Sequence, residues 1–221
     1  MISLHGFASS NYYNIVKHVL MHKQIPFNEV VDYGGTEEYL AVSPVGKVPA
    51  ITTEKGEHLS ESSVCCDYLE ETYPDNPLYP SDSYARNHVR QIMKISELYL
   101  ELPARRFLVN FFSNTEPPQS VKAEVAETMD RGVGAMKRLC RFDPYLAGDQ
   151  VTMADIYVRY VLKVATLGAS SQLKRDLIAE IPGLDAWCPL MDETDIARKI
   201  DADSAANQPE FLAYIQKRLG G

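Results

Sequence analysis

The sequence predicts two domains, an α/β domain followed by an all-α helical bundle. Up to about residue 74, short apolar runs of strand length alternate with amphipathic runs of helix length, which is typical of an α/β domain. Beyond about residue 80, apolar side chains recur every three or four residues, the period of amphipathic helices. Between these regions, Pro74, Pro77 and Pro80 alternate with turn-forming residues and exclude a helix. We therefore expect a first domain at residues 1–74, a linker at 75–85 and a second domain at 86–221.

The first domain is predicted to contain strands and helices in the order βαβ, helix, ββ, helix. The first helix has its apolar side chains on one face; they are Ile15, Val16, Val19 and Leu20. Lys55 and Gly56 separate the last two strands, as the turn of a hairpin does. The predicted strands are Ile2–Leu4, Phe27–Asp32, Val48–Thr52 and Glu57–Leu59, and the predicted helices are Asn11–Lys23, Thr36–Leu40 and Glu61–Thr72. This order, with a mixed four-stranded sheet, is the thioredoxin-like plan.

The second domain is predicted to consist of helices only. Arg86–Phe112 has the length of a long helix, and we expect it to be interrupted at Pro103, because proline lacks the N–H that a helix interior needs. Apolar residues at helical spacing indicate a second long helix; they are Val121, Val125, Met129, Val133, Met136 and Leu139. Such stripes usually form a core, so we assign them no cofactor.

The segment Tyr145–Ile156 contains the start signal of a further helix. The Thr152 side chain can accept from the Asp155 N–H while the Asp155 carboxylate accepts from the Thr152 N–H. Val151 can also pack on Ile156 across the turn, so the segment predicts a capping box with a hydrophobic staple. Because losing such a cap typically costs about 0.5–2 kcal/mol, we expect Thr152 and Asp155 to act in folding rather than in an active site.

Composition and charge exclude several classes of partner. The 221 residues carry a net charge of −8 with a pI near 5.2, which argues against nucleic acid or an anionic membrane as the main partner. No apolar run approaches the roughly 18 residues of a membrane span, and the amino terminus lacks the pattern of a signal peptide. We therefore expect a cytoplasmic protein.

The cysteines and histidines predict neither a redox centre nor a metal site. The four cysteines contain no C-x-x-C motif and are expected to be buried small hydrophobes; they are Cys65, Cys66, Cys140 and Cys188. His18 and His22 share a helix face at a spacing that could bind a metal. No third ligand accompanies them, so we expect a plain surface pair and no metal.

The most informative segment is Gly46–Ile51, in which a proline opens a β-branched run. A cis peptide bond before Pro49 costs only about 0.5–1 kcal/mol. That geometry would direct the main-chain N–H and C=O of Val48 out of the sheet edge, where an extended peptide can pair with them as an added strand. By itself, Pro49 can also simply end an edge strand.

A second element, Leu59–Ser63, follows the hairpin and opens a helix. Glu61 and Ser62 stand where this helix begins, so free N–H groups and the positive end of the helix dipole can bind a carboxylate. The Glu61 side chain can in turn bind an ammonium group. The structural alternative is that Ser60 or Glu61 merely caps the helix.

Together, these two elements resemble the glutathione-binding half of a cytosolic glutathione transferase. The capping box at Thr152 and Asp155 resembles the motif that opens the core helix of the second domain in the same family, so the resemblance extends from the first strand to about Leu167. It implies an α/β thioredoxin-like domain that binds glutathione as co-substrate, joined to an all-α domain. The glutathione contacts it implies are Lys47, Val48, Pro49, Glu61 and Ser62.

In this family, a hydroxyl or a cysteine after the first strand meets the sulfur of glutathione, and here that loop is Phe7–Tyr13. The loop has no cysteine, so the chain is more similar to the serine-type, theta- and zeta-like transferases of bacterial style. Counting back from Ile25–Phe27 favours Ser10, and counting forward from the strand favours Ser9. We expect Ser10 to contact the thiol, with Ser9 as the alternative and Asn11 as a second donor. Either serine can also be the N-cap of the first helix, and one residue can serve both roles.

The resemblance implies a homodimer and a pocket between the domains for a hydrophobic electrophile. Candidate walls of this pocket are Tyr12, Tyr99, Arg105, Arg106 and Phe111, for which ordinary packing or solvated charge is an equal interpretation. The predicted function is activation of the glutathione thiol for attack on the electrophile, as in detoxification.

Two alternative functions stay open. One is another glutathione-dependent reaction at the same site, such as peroxide reduction or the cis–trans isomerisation of zeta-like enzymes. Zeta enzymes carry a serine-serine-cysteine run, whereas here Ser9 and Ser10 are followed by Asn11. The other is a non-catalytic interaction protein of transferase fold, which need not retain a peptide clamp.

Overall fold

The computed structural model describes residues 1–220, which group into two compact units. The first unit comprises Met1–Leu78 and Glu193–Gln216, and the second comprises Tyr79–Asp192 with the residues from Lys217 onward. The strands of the described residues all lie in the first unit and the second is helical, so the predicted fold class is confirmed. The boundaries at residues 74 and 86 remain predictions. By its contacts, Glu193–Gln216 groups with the first unit, although the sequence analysis assigned it to the second domain.

The first unit contains the predicted strands and helices in the predicted order. Its strands are β1 (Ile2–Gly6), β2 (Phe27–Val31), β3 (Ala50–Thr52) and β4 (His58–Ser60), and its first helices are α1 (Asn11–His22), α2 (Glu37–Leu40) and α3 (Ser62–Thr72). Strand β3 begins two residues later than expected. The predicted apolar face of α1 is in the core, since Ile15, Val16, Val19 and Leu20 are fully buried together with Ile2 and Leu4 of β1.

The sheet has the strand order β2-β1-β3-β4. Strand β1 runs parallel to β2 and antiparallel to β3, and β3 runs antiparallel to β4. Ala50 at the start of β3 pairs with His5 on one side and with Ser60 on the other. The end of β1, the start of β3 and the end of β4 therefore lie at the same end of the sheet.

The second unit is built from helices. They are α4 (Ser83–Ser96), α5 (Leu102–Arg105), α6 (Leu108–Ser113), α7 (Gln119–Leu139), α8 (Met153–Gly168), α9 (Leu177–Glu180) and α10 (Leu184–Asp192). Two π-helical segments, Glu97–Glu101 and Ala169–Leu173, interrupt this series. A last helix, α11 (Asp195–Gly220), follows, and its residues up to Gln216 belong to the first unit. The sequence analysis did not recognise α9, α10 or α11.

The long helix is interrupted on both sides of Pro103, whereas the sequence predicted a kink or break at this residue. Helix α4 gives way to the π-helical segment at Glu97, and Pro103 is the second residue of α5, which continues directly from that segment, so its missing N–H removes one helical hydrogen bond. Helix α7 crosses this segment closely, since a Cβ on Gly132 would lie 2.9 Å from the main-chain oxygen of Tyr99. Glycine therefore permits the contact between the two helices.

Helix α8 begins with the predicted capping box. The Asp155 carboxylate accepts from the Thr152 N–H at 2.8 Å and from the Thr152 hydroxyl at 2.9 Å. Most of α8 is buried. The predicted stripe of α7 faces the same core: Val125, Met129, Val133 and Met136 are buried, whereas Val121 and Leu139 are half-buried.

Candidate active site

Three segments with predicted site residues meet at one end of the sheet. The loop that carries Ser10 follows β1, the segment Lys47–Pro49 precedes β3, and Glu61 follows β4. The pairing of Ala50 with strands on both sides brings these segments together. The topology thus gathers the residues that the sequence analysis assigned to peptide binding and to thiol activation.

The segment before β3 leaves polar groups available. The Val48–Pro49 peptide bond is cis. Val48 is half-buried, and among residues 1–220 it takes part in none of the main-chain hydrogen bonds of loops and turns. Lys47 is exposed, and its ammonium group makes no ion pair or hydrogen bond within the described part of the chain. Main-chain groups and a cation are therefore available beside each other.

The start of α3 has an unusual backbone. Glu61 occupies the N-cap position with φ 68° and ψ 117°, a left-handed conformation that non-glycine residues rarely adopt. Its side chain makes no capping hydrogen bond, and its carboxylate has no hydrogen-bond or ion-pair partner within residues 1–220. Ser62, the first residue of the helix, is buried. Such strain is maintained only where the surrounding structure enforces it, and it often marks a functional site.

Ser10 is the N-cap of α1, as one interpretation of the sequence predicted. Its Oγ accepts from the Tyr13 N–H at 3.4 Å, which is longer than a typical hydrogen bond. The hydroxyl proton itself has no acceptor among residues 1–220. Ser10 can therefore cap the helix with its lone pair and still donate its proton to a ligand.

The neighbouring serine is engaged differently. The Ser9 N–H donates to Asn207 Oδ1 at 3.0 Å, and its hydroxyl lies 3.5 Å from the main-chain oxygen of Ser204. Both partners are on α11. Asn11, the first residue of α1, is half-buried and forms contacts of its own.

Comparison with known proteins decides the family. Residues 4–77 match the family model of the glutathione S-transferase N-terminal domain. A glutathione S-transferase of Pseudomonas putida is 40% identical over 217 residues, which cover 98% of each chain. The chain belongs to the glutathione S-transferase family. The family and the glutathione transferase function predicted from the sequence are thereby confirmed.

More distant relatives share the fold of this transferase. A maleylacetoacetate isomerase of Pseudomonas aeruginosa is 26% identical over 200 residues, which cover 88% of this chain and 89% of the isomerase. A solved glutathione transferase homologue from Sulfitobacter, with bound glutathione, gives a TM-score of 0.73 at 22% identity and covers 91% of this chain. The two-part architecture is therefore that of known transferases.

The candidate pocket residues of the transferase are found on different elements. Tyr12 lies on α1, half-buried, and Tyr99 lies in the first π-helical segment with 39% of its surface exposed. Arg105 donates through Nε to the buried Glu101 at 2.8 Å. The other two lie on the surface of the second unit: Arg106 forms an ion pair with Glu124 at 2.8 Å, and Phe111 contacts the ring of Phe112 edge-on at 5.3 Å. Their role in a pocket stays a prediction.

Sequence reasoning missed the contribution of α11 to this end of the transferase sheet. Asn207 contacts Ser9, the Phe211 ring stacks on Phe7, and the Tyr214 ring lies against that of Tyr33 in a tilted arrangement. These three residues follow the spacing i, i+4, i+7, so they occupy one face of a helix. That spacing was the available signal in the carboxy-terminal segment.

An ion cluster around one buried lysine fixes α1 beside α11. The nearly buried Lys17 ammonium forms ion pairs with Glu29 at 2.7 Å and with Asp203 at 2.9 Å. The Tyr13 hydroxyl donates to Glu29 at 2.5 Å. Burial, followed by this hydrogen bond and the nearby negative charges, raises the pKa of Tyr13 far above its usual value. Tyr13 therefore stays protonated and is not the base that activates a thiol.

The cysteines agree only partly with expectation. Cys65 and Cys66 are fully buried as predicted, whereas Cys140 and Cys188 are half-buried and not core residues. Burial raises the pKa of Cys65 and of Cys140 to about 12 and that of Cys188 to about 11. None of these thiols is poised as a nucleophile.

His18 is buried rather than exposed, so the expected surface pair with His22 was wrong. All residues of α1 from Tyr13 to Leu20 are buried, so this part of the helix is covered on every side and not only on its apolar face. Among residues 1–220, no group of three or more His, Cys, Asp or Glu is arranged to hold a metal ion. No helix in this part of the chain combines the length and the apolar character needed to cross a membrane.

Proposed function

We propose that this transferase binds glutathione at the end of the sheet and activates its thiol with Ser10. The observation that carries this proposal is the register of β3, by which the Ser10 loop, Val48 and Glu61 lie at the same end of the sheet. Each of these segments offers a group that lacks a protein partner and suits one part of the tripeptide.

The binding contacts follow from the chemistry of glutathione, a tripeptide with two carboxylates, one ammonium group and a thiol. The main-chain groups of Val48 pair with the cysteinyl backbone, as an added strand would. The start of α3 at Ser62 binds the carboxylate of the γ-glutamyl residue, and Glu61 binds its ammonium group. The exposed Lys47 attracts the second carboxylate of glutathione. Pro49 fixes the backbone of the Val48 segment through its cis peptide bond.

The hydroxyl proton of Ser10, which has no acceptor among residues 1–220, favours Ser10 over Ser9 as the thiol-activating residue. The Ser9 hydroxyl already has a main-chain oxygen in reach, whereas that of Ser10 has no acceptor in the described chain. A hydrogen bond to a charged group is worth about 1.5–3 kcal/mol, which corresponds to about one to two pKa units. Asn11 is retained as a second donor.

The expected rate gain from Ser10 is small. Lowering a thiol pKa from about 8.5 by two units raises the thiolate share at pH 7 about twenty-five-fold. A Brønsted slope of about 0.4–0.5, taken from thiol exchange, lowers the intrinsic reactivity by about six- to ten-fold. The net gain is a few-fold, so most of the acceleration must come from holding the electrophile against the sulfur.

In the proposed reaction, the thiolate forms a carbon–sulfur bond to a small hydrophobic electrophile while the leaving group departs with its electron pair. We extend the proposal to a cytoplasmic homodimer with a role in detoxification, in line with the family resemblance. Light scattering of the purified protein measures the dimer, and a mass of one chain rejects it.

The isomerase relative supports a second candidate reaction at the same site. There, the thiolate would add to the double bond of a small unsaturated dicarboxylic acid, the new single bond would rotate, and the same thiolate would leave. Turnover assays with an aromatic halide, a cis-unsaturated dicarboxylic acid and an organic peroxide separate conjugation from isomerisation and peroxidase activity. Glutathione binding without turnover of any of them would indicate an interaction protein.

The test of the proposal begins with calorimetry of glutathione binding. If glutathione has no measurable affinity for the protein, the proposed binding contacts are rejected. The ultraviolet absorbance of the bound thiolate is then titrated in the wild type and in Ser10→Ala, with the exposed Ser81→Ala as control. We expect the pKa of bound glutathione to rise by about one to two units in Ser10→Ala only.

The pH profile gives a sharper check on the same variant. Near neutral pH, Ser10→Ala should react a few-fold more slowly. At a pH where both bound thiols are ionised, its more basic thiolate should react about six- to ten-fold faster than the wild type. If instead the pKa changes in Ser9→Ala and not in Ser10→Ala, the assignment of the two serines is reversed.

A further inference from the structure

One peptide group in the loop before Ser10 is held at both of its polar atoms. The Ala8 carbonyl accepts from Asn14 Nδ2 at 2.9 Å, and the N–H of the same peptide, on Ser9, donates to Asn207 Oδ1 at 3.0 Å. The two asparagine amides come from α1 and from α11, far apart in sequence. Together they fix the plane of the Ala8–Ser9 peptide.

Asn14 makes this contact although the oxygen of its side-chain amide forms no hydrogen bond among residues 1–220. Asn14 is buried. Buried polar atoms are rarely left unpaired, and each case requires an explanation. The single hydrogen bond of the Asn14 amide is therefore the one that its Nδ2 donates to the Ala8 carbonyl.

Asn207 is itself held in one orientation. Its Oδ1 accepts from the Ser9 N–H, which can only donate, while its Nδ2 donates to the Tyr33 hydroxyl at 3.1 Å and to the Glu210 carboxylate at 3.4 Å. Tyr33 is in turn packed between two rings, stacked on Phe7 at 4.4 Å and lying 4.6 Å from Tyr214. The acceptor that meets the loop is therefore rigidly placed.

Helix α11 is anchored one turn before this contact. Asp203, four residues before Asn207, pairs with the buried Lys17 at 2.9 Å and with Lys199 at 2.5 Å. Phe211, four residues after it, stacks on Phe7 at 5.5 Å. The contact to Ser9 thus lies between an ionic and an aromatic attachment.

The Ala8–Ser9 peptide directly precedes the residues that set the position of the Ser10 hydroxyl. The Ser10 N–H donates to the Phe7 oxygen at 3.0 Å, closing a tight turn around this peptide. A rotation of the peptide would move Ser10 Oγ, and a hydrogen bond weakens steeply with distance and angle. We propose that Asn207 is a positioning residue for the thiol-activating hydroxyl of Ser10, acting through the Ala8–Ser9 peptide.

This inference rests on the proposed function and extends it to a residue of α11 that does not touch the thiol. Replacing Asn207 by leucine removes the acceptor at similar side-chain size. We expect the pKa of bound glutathione to rise by about 0.5–1 unit, which lowers the thiolate share below that pKa by about three- to ten-fold. The affinity for glutathione should change little, because the residues proposed to bind it are unchanged.

The test titrates the thiolate absorbance at saturating glutathione in the wild type, Ser10→Ala, Asn207→Leu and Gln208→Ala. Gln208 is the exposed neighbour of Asn207 on the same helix and serves as the matched control. An upward shift in Asn207→Leu without one in Gln208→Ala supports the proposal. If Ser10→Ala shifts the pKa and Asn207→Leu titrates like the wild type, the positioning role is rejected while the proposed function stands.

Other outcomes concern both proposals or the fold. If the wild type binds no glutathione, or if Ser10→Ala leaves the pKa unchanged, the proposed function fails and the positioning role fails with it. If Asn207→Leu does not fold, amide hydrogen exchange tests whether the Ser9 N–H is held by residue 207. We expect slow exchange of the Ser9 amide proton in the wild type and in Asn207→Asp, which keeps an acceptor oxygen. If the Ser9 amide proton of the wild type exchanges as fast as that of an open loop, the proposal is overturned.

Discussion

The buried Asp155 carboxylate joins three parts of the second unit. Its Oδ1 accepts from the Leu146 N–H and from Trp187 Nε1, both at 2.9 Å, and its Oδ2 accepts from the N–H and the hydroxyl of Thr152. It thereby ties the loop before α8, the start of α8 and helix α10 together. Trp187 is the partner that the capping-box pattern did not reveal.

Replacing this carboxylate should cost several kcal/mol. Asp155→Ala leaves the buried N–H groups of Leu146, Thr152 and Trp187 without their acceptor, at about 1–3 kcal/mol each. Because these losses overlap, we expect about 3–5 kcal/mol in total, the range for breaking a buried charged network. Trp187→Phe removes one hydrogen bond to a charged group, at about 1.5–3 kcal/mol, and adds the cost of the cavity left by the smaller ring at this buried position.

A double-mutant cycle measures the bond between Asp155 and Trp187. Urea denaturation of the wild type, both single variants and the double variant should give a coupling of about 1.5–3 kcal/mol. The control Ala186→Ser, at an exposed position of α10, should stay within about 0.5 kcal/mol of the wild type. A coupling below about 0.5 kcal/mol would refute the reasoning. The pKa of bound glutathione should be unchanged in folded Trp187→Phe, since this network belongs to the second unit and the proposed thiol site to the first.

Two further predictions concern titration. Burial alone would raise the pKa of Asp203, but its hydrogen bonds to Lys199 and Lys17 and their charges outweigh burial and hold the pKa below its usual value. Its stabilising contribution is therefore present above the unfolded pKa, about 3.9, and is lost as the pH falls through the lower folded value. Urea denaturation between about pH 3 and pH 7 should show the advantage of the wild type over Asp203→Asn shrinking on acidification; an advantage that grows contradicts it. At pH 8, the thiolate share of Cys188, with a pKa of about 11, is about two-hundred-fold below that of a free cysteine. The native protein should therefore react with iodoacetamide far more slowly than the urea-unfolded protein. Equal reaction rates would contradict this prediction.

The features that the sequence predicted correctly are encoded locally. The apolar face of α1, the hairpin around Gly56 and the capping box at Thr152 each depend on residues within a few positions of one another. The fold class follows from such patterns, because alternating strands and helices admit few packed arrangements. The resemblance to known transferases then located the candidate site.

What the sequence did not reveal depends on distant contacts or on backbone strain. The hydrogen bond between Ser9 and Asn207 joins residues 198 positions apart. The left-handed conformation of Glu61 contradicts the intrinsic preference of glutamate and is imposed by the structure around it. The π-helical segment before Pro103 likewise has no signature in the spacing of the apolar residues. None of these follows from periodicity.

The membership of α11 in the first unit has a consequence for synthesis on the ribosome. The first unit is discontinuous, since all of Tyr79–Asp192 is translated between its two stretches. At about 5–20 residues per second, its sheet therefore waits about 6–26 seconds after Leu78 for Asn207 to be synthesised, and slightly longer for Phe211. During that interval, Phe7 lacks a ring to stack on from the last helix, and Lys17 lacks one of its two acidic partners. A nascent or prematurely terminated chain thus carries the strands of the site without the helix that orders the Ser9 amide.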